Sequence, residues 1–543
     1  MDLILYNGKI RTMDRMKPEA SAVAVKGGVI AAVGASKDVL SLKTPETMLA
    51  DMGGARVVPG FNDSHLHILN YAIMSDQCDL TGSASISEIE ARMRRHIEAK
   101  RIPKNGWVVG KHWDQEILAE RRFPTRDDLD AISSEHPVIC IRICFHIACA
   151  NTKALEMLGF LGGGGENPGN GANLQGGAAI GSEEISTGIF KESAAESLLE
   201  ALAQPSAVEI GKYLAVAGHE LAQNGITSVQ SDDFSDAKNY GDVNSAYVEL
   251  ARNGRLLFRA CQQRRLPKGC GIDDFLNNRC DLSGAEGFYK LGPVKLMADG
   301  SLGARTAYLS KPYNDDPSTK GVAIYSQEEL DHLVCRSHEA GQDVAVHCIG
   351  DGAAYMAMGS IRKAREMKGF DARHGIVHCQ ITDAPLLEMF GELGVMAYVQ
   401  PIFLNVDLHV VESRVGHALA STSYNFKTMA DMGVNVSFGT DCPVEGLSPL
   451  NNIYSAVTRK DLCGNPPGGF CPSQRMTVGE AVYAYTAGSA YCSREERVKG
   501  MISEGYMADM AVLSEDIFEM DPDGIKDAKV NMTVLNGKIV WQR

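Results

Sequence analysis

The sequence predicts an α/β fold: a (β/α)₈ barrel with a composite β-sandwich domain built from both termini and a large insertion after the first barrel strand. Three observations indicate this architecture. Short apolar strands recur along the chain, helix-like segments separate the later ones, and the two chain ends carry similar strand-forming sequences. The chain of 543 residues is long enough for a large core with accessory domains.

Both chain ends place an Asn-Gly pair after an apolar strand, in LILYNGKI from Leu3 and in TVLNGKIV from Thr533. Asn-Gly between two strands is a strong hairpin signal. Further short alternating strands follow at 22–34 and 508–516. The simplest arrangement is one β-domain formed by residues 1–57 plus 500–543. The alternative is two unrelated hairpins.

Eight apolar strand candidates predict the barrel, which we place at residues 58–70 plus 220–499. The candidates lie at 55–67, 225–231, 256–262, 294–300, 343–351, 375–380, 394–401 and 434–443. Helix-like segments such as 326–341 and 383–394 separate the later candidates, the alternation that is typical of repeated βα units.

The connection after the first barrel strand is too long for a simple crossover. Residues 71–219 are therefore expected to form an inserted subdomain that covers the active site. Its glycine-rich segment 159–177 lacks the GK[ST] ending of a phosphate-binding loop, so we interpret it as a surface loop or hairpin.

Composition argues against several classes of partner. The net charge of −15, from 53 basic and 68 acidic residues, disfavours nucleic acid and anionic membranes. No apolar segment reaches the roughly 18–20 residues needed to span a bilayer. The N-terminus lacks the basic region of a signal peptide, and the 14 cysteines form no CxxC pair, so we expect a cytoplasmic protein. For the oligomeric state, which the sequence does not fix, a homodimer is the commonest case.

Histidines and an aspartate stand at the C-terminal ends of four predicted strands. His65 and His67 form an HxH pair on one face of a strand, His347 ends VAVH, His378 ends GIVH, and Asp441 ends VSFGTD. Barrel enzymes place their chemistry at this end of the strands. Imidazole and carboxylate together suit a divalent ion such as Zn²⁺, which lowers the pKa of bound water to about 7. These five side chains could fill one metal site.

Lys295 stands among apolar residues in the strand candidate 294–300, where burial disfavours its charged form. Two metals would need a bridging anion, which the five side chains above do not supply. A neutral lysine can react with CO₂ to give a carbamate whose two oxygens bridge two cations. The alternatives are a Schiff-base lysine and a lysine paired with Asp299; with five ligand candidates nearby, we favour the carbamate.

Several motifs occur in one order along nearly the whole chain. They are PGFNDSHLH, KLMADGSLGARTAYLSKPY, VAVHCIGDGA, RHGIVHCQI, YVQPIF, GTDCPVEGLSPL, and YTAGSA with GYMADMAVL. This series resembles the amidohydrolase superfamily, and more narrowly its amidohydrolase-3 branch of YtcJ-like and N-substituted formamide deformylase-like proteins. The resemblance implies a metal-dependent TIM barrel flanked by a composite β-domain.

The resemblance also implies a set of metal ligands. In binuclear members the HxH pair and the aspartate hold the first metal, the two later histidines hold the second, and a carboxylated lysine bridges the two. On this sequence those roles fall on His65, His67, Asp441, His347, His378 and Lys295.

The inserted region resembles the same branch in GKHWDQEILAERRFPTRDDLD and PVICIRICFHIACANTKAL. His112 and Phe145 stand there where glycine is usual, which leaves the substrate less defined than the metal chemistry. The candidate substrate-binding residues are His146, Trp113, Asp299 and Arg305. Arg305 either pairs with a substrate carboxylate or fixes its own loop.

We therefore expect a metal-dependent amidohydrolase that cleaves the C–N bond of an amide-like small molecule, such as an N-substituted formamide or an N-acyl compound, by attack of a metal-bound hydroxide. Asp441 would accept the proton and deliver it to the leaving nitrogen. The expected cofactors are two Zn²⁺, with Mn²⁺, Fe²⁺ or Co²⁺ as alternatives, and a CO₂-derived carbamate on Lys295. The alternative functions are a mononuclear deaminase or a lactone or phosphoester hydrolase on the same scaffold, and a non-catalytic amidohydrolase-like scaffold protein.

Overall fold

The computed structural model describes most of the chain, namely residues 1–144, 147–161, 181–200, 205–235, 240–267, 269–278, 280–367 and 370–543. The chain divides into two compact units. The first comprises Met1–Tyr71 and Ser206–Arg543, and the second comprises Ala72–Pro205. None of the helices in the described ranges is long and apolar enough to cross a membrane.

The strands are numbered here in chain order. They are β1 (Leu3–Tyr6), β2 (Lys9–Arg11), β3 (Glu19–Ala20), β4 (Ala22–Lys26), β5 (Val29–Gly34), β6 (Met48–Asp51), β7 (Arg56–Pro59), β8 (Phe61–Leu66), β9 (Cys78–Asp79), β10 (Val108–Trp113), β11 (Val138–Arg142), β12 (Ile147–Ala150), β13 (Ile189–Lys191), β14 (Ile226–Ser231), β15 (Arg259–Arg265), β16 (Tyr289–Met297), β17 (Val344–Cys348), β18 (Gly375–His378), β19 (Met396–Val399), β20 (Val436–Phe438), β21 (Met510–Leu513), β22 (Val530–Leu535) and β23 (Lys538–Gln542).

The α-helices are numbered in the same way. They are α1 (Ser36–Leu40), α2 (Ile68–Asp76), α3 (Ile86–Lys100), α4 (Arg126–Ile132), α5 (Thr152–Met157), α6 (Ser182–Thr187), α7 (Ser193–Glu200), α8 (Ala207–Gln223), α9 (Tyr240–Arg252), α10 (Ile272–Asn277), α11 (Gln327–Glu339), α12 (Asp351–Glu366), α13 (Ala384–Leu393), α14 (Leu404–Asp407), α15 (Val411–Ala420), α16 (Phe426–Asp431), α17 (Pro449–Thr458), α18 (Val478–Tyr483) and α19 (Ser489–Cys492).

Strands from both chain ends share sheets in the first unit. A four-stranded sheet has the order β5-β4-β1-β6, and a six-stranded sheet has the order β23-β22-β21-β7-β2-β3. Strand β7 pairs with β21 antiparallel and with β2 parallel, so the two ends of the chain are hydrogen-bonded to each other. Apolar side chains from both ends, among them Leu5, Val57, Val512 and Val534, pack in one core.

The two Asn-Gly pairs have different structures. Asn536 and Gly537 connect β22 to β23, which pair antiparallel as the hairpin signal predicts. The hairpin predicted at Asn7 and Gly8 is wrong, because β1 pairs with β4 and β6 while β2 pairs with β3 and β7 in the other sheet. The backbone N–H of Asn7 donates to Ser36 Oγ at 3.0 Å. The first pair therefore carries the chain from one sheet to the other.

The first predicted barrel strand, 55–67, is two strands in different sheets. Strand β7 belongs to the six-stranded sheet, β8 belongs to the barrel, and Gly60 lies between them. Its N–H donates to the Asp509 carbonyl at 2.9 Å, and the next residue, Phe61, donates to the Gly225 carbonyl at 2.9 Å. A Cβ on Gly60 would lie 2.2 Å from Thr227 Oγ1, so the crossing requires a residue without a side chain.

Eight parallel strands form the barrel, in the order β20-β19-β18-β17-β16-β15-β14-β8, and helices alternate with them along the chain. The predicted α/β barrel fold is confirmed. The third strand, predicted at 256–262, is β15 at Arg259–Arg265, because the preceding residues close helix α9: the N–H groups of Arg255 and Leu256 both donate to the Leu250 carbonyl. Beyond β20 the chain bonds back to β8, since the Asp441 N–H donates to the His65 carbonyl at 2.8 Å.

The second unit has a sheet of its own, in the order β13-β12-β11-β10-β9. Strands β9, β10 and β11 are parallel, and β12 and β13 are antiparallel to their neighbours. The unit ends at Pro205, whereas the predicted insert extended to 219. The difference arises because α8 packs on the first unit, where Gly218 approaches Leu257 and Phe258. The glycine-rich segment 159–177 lies mostly outside the described residues.

Candidate metal centre

His65, His67 and Asp441 converge where β8 meets the end of β20. Their imidazole and carboxylate atoms all lie within 4.8 Å of one another. Asp441 Oδ1 is 3.3 Å from His65 Nε2 and 3.2 Å from His67 Nε2. A tetrahedral Zn²⁺ with bonds of about 2.0–2.1 Å separates its ligand atoms by roughly 3.3 Å. Both distances to Asp441 Oδ1 match this spacing.

The hydrogen bonds on the far side of each imidazole define which nitrogen faces this group. His65 Nδ1 lies 2.7 Å from Gln263 Oε1, and the Gln263 amide is oriented by its own donation to the Ser64 carbonyl at 3.0 Å. His67 Nδ1 lies 3.0 Å from the Asp232 carbonyl. Because both partners are acceptors, each Nδ1 carries the proton and each Nε2 presents a lone pair.

Asp441 Oδ1 is buried and has no hydrogen-bond partner among the described residues. It faces the Nε2 atoms of His65 and His67, which are acceptors when the protons are on Nδ1. A buried group of this kind is stabilised by a cation, and an imidazole whose other nitrogen donates to an oxygen is the usual form of a metal-binding histidine. The residues present therefore fit a divalent metal ion. Burial, and then the Lys295 charge, lower the pKa of His65 to about 4, which keeps this imidazole neutral.

Lys295 lies beside this group on β16. Its side chain is 1% exposed, and Nζ donates to His65 Nε2 at 3.2 Å. Burial lowers the pKa of Lys295 to about 8, so roughly a tenth of the amine is neutral at pH 7, far more than for an exposed lysine. Among the described residues no ion pair joins Lys295 to Asp299, whose carboxylate instead accepts backbone N–H groups of the loops around it.

His347 and His378 form a second pair next to the first group. Their ring centroids are 4.4 Å apart, and the His378 ring is 5.6 Å from the His65 ring. His378 Nδ1 lies 2.8 Å from Gln400 Oε1, which repeats the arrangement of His65. His347 differs, because its Nε2 lies 3.2 Å from the Gly300 carbonyl and its Nδ1 is the nitrogen left for another partner.

The backbone at two of these residues is unusual. His378 has φ 82° and Asp441 has φ 56°, in the left-handed region that costs non-glycine residues about 1–3 kcal/mol. Asp63 holds the region around Asp441: its carboxylate accepts the N–H of His65 at 3.1 Å and the hydroxyls of Thr440 and Tyr485 at 2.8 and 2.9 Å. The joint between β8 and the residues after β20 thus fixes the strained backbone at Asp441.

Comparison with known proteins identifies the family. Residues 49–541 match the family model described as Amidohydrolase family, which is most of the chain. The chain belongs to the amidohydrolase family. The resemblance drawn from the sequence motifs is thereby confirmed.

Two curated relatives match this amidohydrolase over its full length. YtcJ of Bacillus subtilis strain 168 is 33% identical over 550 residues, covering 100% of both chains. N-substituted formamide deformylase of Arthrobacter pascens is 26% identical over 558 residues, covering 100% of this chain and 98% of its own. A crystal structure of an uncharacterized metal-dependent hydrolase from Pyrococcus horikoshii OT3 has a TM-score of 0.78 at 28% identity, covering 96% of this chain and 99% of its own. These matches support a metal-dependent hydrolase.

Two substrate-binding candidates of the amidohydrolase barrel have structural partners. Asp299 is buried and accepts the N–H groups of Tyr308, Ile349 and Gly350 at 2.8–3.0 Å, so it anchors the loops beside His347. Arg305 forms a two-pronged ion pair with Asp315 of its own loop, at 2.9 and 3.1 Å. The sequence left two roles open for Arg305, binding a substrate carboxylate or fixing its own loop, and this ion pair supports the second role.

The other two candidates lie in the second unit. Trp113 is fully buried in the core of that unit and packs edge-on against Phe123, with ring centroids 5.8 Å apart. Its position is that of a packing residue. His146, like the neighbouring Phe145, lies outside the described residues.

Sequence reasoning missed the residues that orient the ligand candidates. Gln263 and Gln400 each accept from an imidazole, and Asp63 ties β8 to the residues after β20. A signal was present, because Gln263 and Gln400 are polar residues at the C-terminal ends of apolar strands. Pairing each with its histidine requires the barrel register, which single-strand patterns do not contain.

Proposed function

We propose that this amidohydrolase is a metal-dependent enzyme that hydrolyses the C–N bond of an amide-like small molecule, such as an N-substituted formamide or another N-acyl amine. The observation that carries the proposal is the convergence of His65, His67 and Asp441 beside Lys295, in which the buried Asp441 Oδ1 has no hydrogen-bond partner among the described residues. The full-length similarity to an N-substituted formamide deformylase supports the choice of bond.

The residues divide into two adjoining groups of metal ligands. His65, His67 and Asp441 would hold one divalent ion, and His347 and His378 a second, with a carbamate on Lys295 between them. A divalent ion bound there lowers the pKa of a bound water to about 7 and polarises a carbonyl oxygen. Zn²⁺ is the ion that best suits this set of imidazole and carboxylate ligands.

The protein's own groups then move the proton and hold the geometry. Asp441 Oδ1 accepts the proton of the attacking water and transfers it to the leaving nitrogen, so that the amine departs neutral. Gln263 and Gln400 keep His65 and His378 in the tautomer that presents Nε2. The bond from the Asp441 N–H to the His65 carbonyl keeps the carboxylate in register with the imidazoles.

The test is a substrate panel with chelator-stripped protein and with protein reloaded with Zn²⁺. We expect the reloaded protein to release formate from N-benzylformamide, and the stripped protein to be inactive. Asp441→Asn should lower the rate by about 10²–10⁴-fold, the usual contribution of a positioned acid–base group. Asp527→Asn, at an exposed carboxylate, is the matched control and should retain the wild-type rate.

Three outcomes would contradict the proposal. Near-normal turnover by Asp441→Asn, with its metal content measured, would remove the proton-transfer role. Turnover of an aminopurine, a lactone or a phosphotriester in place of the amides would favour the alternative hydrolases. Failure of the purified protein to bind any divalent metal would favour a non-catalytic scaffold.

A further inference from the structure

Two carboxylates outside the ligand set lie on the loops that follow the last two barrel strands. Asp407 ends α14, after β19, and Glu445 follows Asp441 in the loop after β20. Both are partly buried and partly open to solvent. The two loops are joined, because the Ile402 N–H donates to Asn452 Oδ1 of α17 at 2.8 Å. The carboxylates therefore lie at the same end of the barrel as the candidate metal centre.

No basic side chain neutralises this pair. Asp407 Oδ2 accepts from the Tyr424 hydroxyl at 2.8 Å and from Gln380 Nε2 at 3.2 Å, and both donors are neutral. Within the described ranges, neither Asp407 nor Glu445 forms an ion pair with a lysine, arginine or histidine. A half-buried carboxylate without a cation loses hydration that no counter-charge replaces.

Gln380 provides an independent observation at the same place. Its side chain is 3% exposed, and Nε2 is engaged with Asp407. The amide orientation follows from that contact, because the reverse orientation would set its oxygen against the carboxylate. Gln380 Oε1 then has no hydrogen-bond partner among the described residues. A buried amide oxygen without a donor is uncommon in native proteins and points to a missing donor.

The electrostatics agree with the geometry. Burial, and then the charge of Asp407, raise the pKa of Glu445 to about 7, and burial raises the pKa of Asp407 to about 6. A cation placed between the carboxylates would reverse both effects, because an opposite charge favours the ionised form. Val406 and Val444, the residues directly before the two carboxylates, are 56% and 67% exposed, so each carboxylate has an exposed apolar neighbour in the chain.

We propose that Asp407, Glu445 and Gln380 form an acceptor-only subsite for an ammonium or guanidinium group on the amide substrate. The subsite rests on the proposed function, and it names the substrate class as cationic amides with an apolar body. The cation supplies the charge that the two carboxylates lack and the N–H donors that Gln380 Oε1 lacks. Val406 and Val444 contact the carbon skeleton that carries it.

The binding experiment compares 4-methylbenzylammonium with 4-methylbenzyl alcohol, by calorimetry on the Zn²⁺-loaded full chain. We expect the wild type to bind the cation at least about tenfold more tightly, the size of one charge-assisted hydrogen bond. Glu445→Gln and Asp407→Asn should lose that preference. Glu366→Gln, at an exposed carboxylate on α12, should keep it. Glu445 is half-exposed, so Glu445→Gln is expected to fold. A thermal melting curve checks that Asp407→Asn is folded.

The activity experiment compares N-[4-(aminomethyl)benzyl]formamide with N-(4-methylbenzyl)formamide. We expect a higher kcat/KM for the cationic compound; Glu445→Gln should remove the difference, and Glu366→Gln should keep it. Equal binding of the two probes by the wild type, or a preference that survives in Glu445→Gln, would overturn the subsite. Hydrolysis of both formamides at equal rates would also overturn it while upholding the proposed function. Cation binding that depends on Glu445, without hydrolysis of either formamide, would uphold the subsite and refute the proposed function.

Discussion

At the scale of single residues, the candidate centre is defined by the positions of the imidazole protons and by a carboxylate oxygen that has no hydrogen-bond donor. His65 and His378 each give the Nδ1 proton to a glutamine oxygen, and Asp441 Oδ1 receives no proton at all. Buried acceptors that face one another without a donor are unfavourable in a protein interior. A divalent cation bound by the carboxylate and the imidazoles would remove this cost, so the geometry indicates a metal site.

The prediction at this scale is that Lys295 carries a carbamate. Zn²⁺-loaded wild-type protein, measured by native mass spectrometry, should carry the added mass of one CO₂ and two metals per chain. Lys295→Met should lose the added mass and bind fewer metals, because the bridging oxygens are gone. The buried amine beside His65, with its lowered pKa, is the reason to expect the carbamate.

The matched control is Lys290→Met, on the same strand, where the lysine donates to the Ser493 carbonyl at 2.7 Å. That variant should keep both the added mass and the metals. An active wild-type protein with two metals and an unmodified Lys295 would disprove the bridge.

At the scale of elements, the joint between β8 and the residues after β20 is the critical contact of the barrel. Gly439 lies against β8 so closely that a Cβ there would be 2.5 Å from the His65 nitrogen and 2.7 Å from its carbonyl oxygen. Both contacts are to backbone atoms, which cannot rotate away. The same joint carries His65 and Asp441, so its spacing sets the spacing of the ligand candidates.

Gly439→Ala should therefore affect stability and metal binding together. We expect a loss of about 1–3 kcal/mol in the free energy of unfolding, the range for overpacking a close contact. Metal affinity should fall as well, because the two strand ends are forced apart. Denaturant unfolding and a competition assay with a chelating dye measure the two effects.

Gly303→Ala is the control for this prediction, because a Cβ there would meet no atom within 4 Å. It should leave both quantities unchanged. If Gly439→Ala had wild-type stability and wild-type metal affinity, the close joint would not control the site.

At the scale of the whole molecule, the two chain ends are bound to the barrel through buried charges. Arg259, the first residue of β15, donates to both carboxylate oxygens of Asp509 at 2.7 and 3.0 Å, and both side chains are buried. Asp509 precedes β21, and its carbonyl also accepts from Gly60 at the crossing into the barrel. The ion pair links the third barrel strand to the C-terminal segment, and the Gly60 bond links that segment to the start of the first barrel strand.

Asp509→Asn should destabilise the protein by about 3–5 kcal/mol, because removing one partner leaves a buried guanidinium without its counter-charge. The unfolding midpoint in guanidinium chloride measures the change. Glu515→Gln, at an exposed carboxylate after β21, is the comparison and should have little effect. A midpoint for Asp509→Asn equal to that of Glu515→Gln would show that the pair does not hold the ends to the barrel.

Much of the fold was predictable from local patterns. Apolar strands alternating with helices predicted the barrel, and the C-terminal strand ends predicted where His65, His67, His347, His378 and Asp441 would meet. Local patterns gave wrong predictions where the pairing of segments far apart in the chain determines the structure. The turn at Asn7 looks like a hairpin in sequence, but β1 and β2 have better partners elsewhere. The strand 55–67 reads as continuous, yet Gly60 divides it between two sheets.

The sequence by itself determined the fold class, the family and the residues of the candidate metal centre, because strand periodicity and strand-end position are local properties of the chain. The tertiary structure alone decided which nitrogen each imidazole presents, that Arg305 pairs with Asp315, and that Asp407 and Glu445 lie without a cation. These depend on the register between strands and on burial. Hydrogen-bond direction and desolvation arise only when segments far apart in the chain are brought into contact.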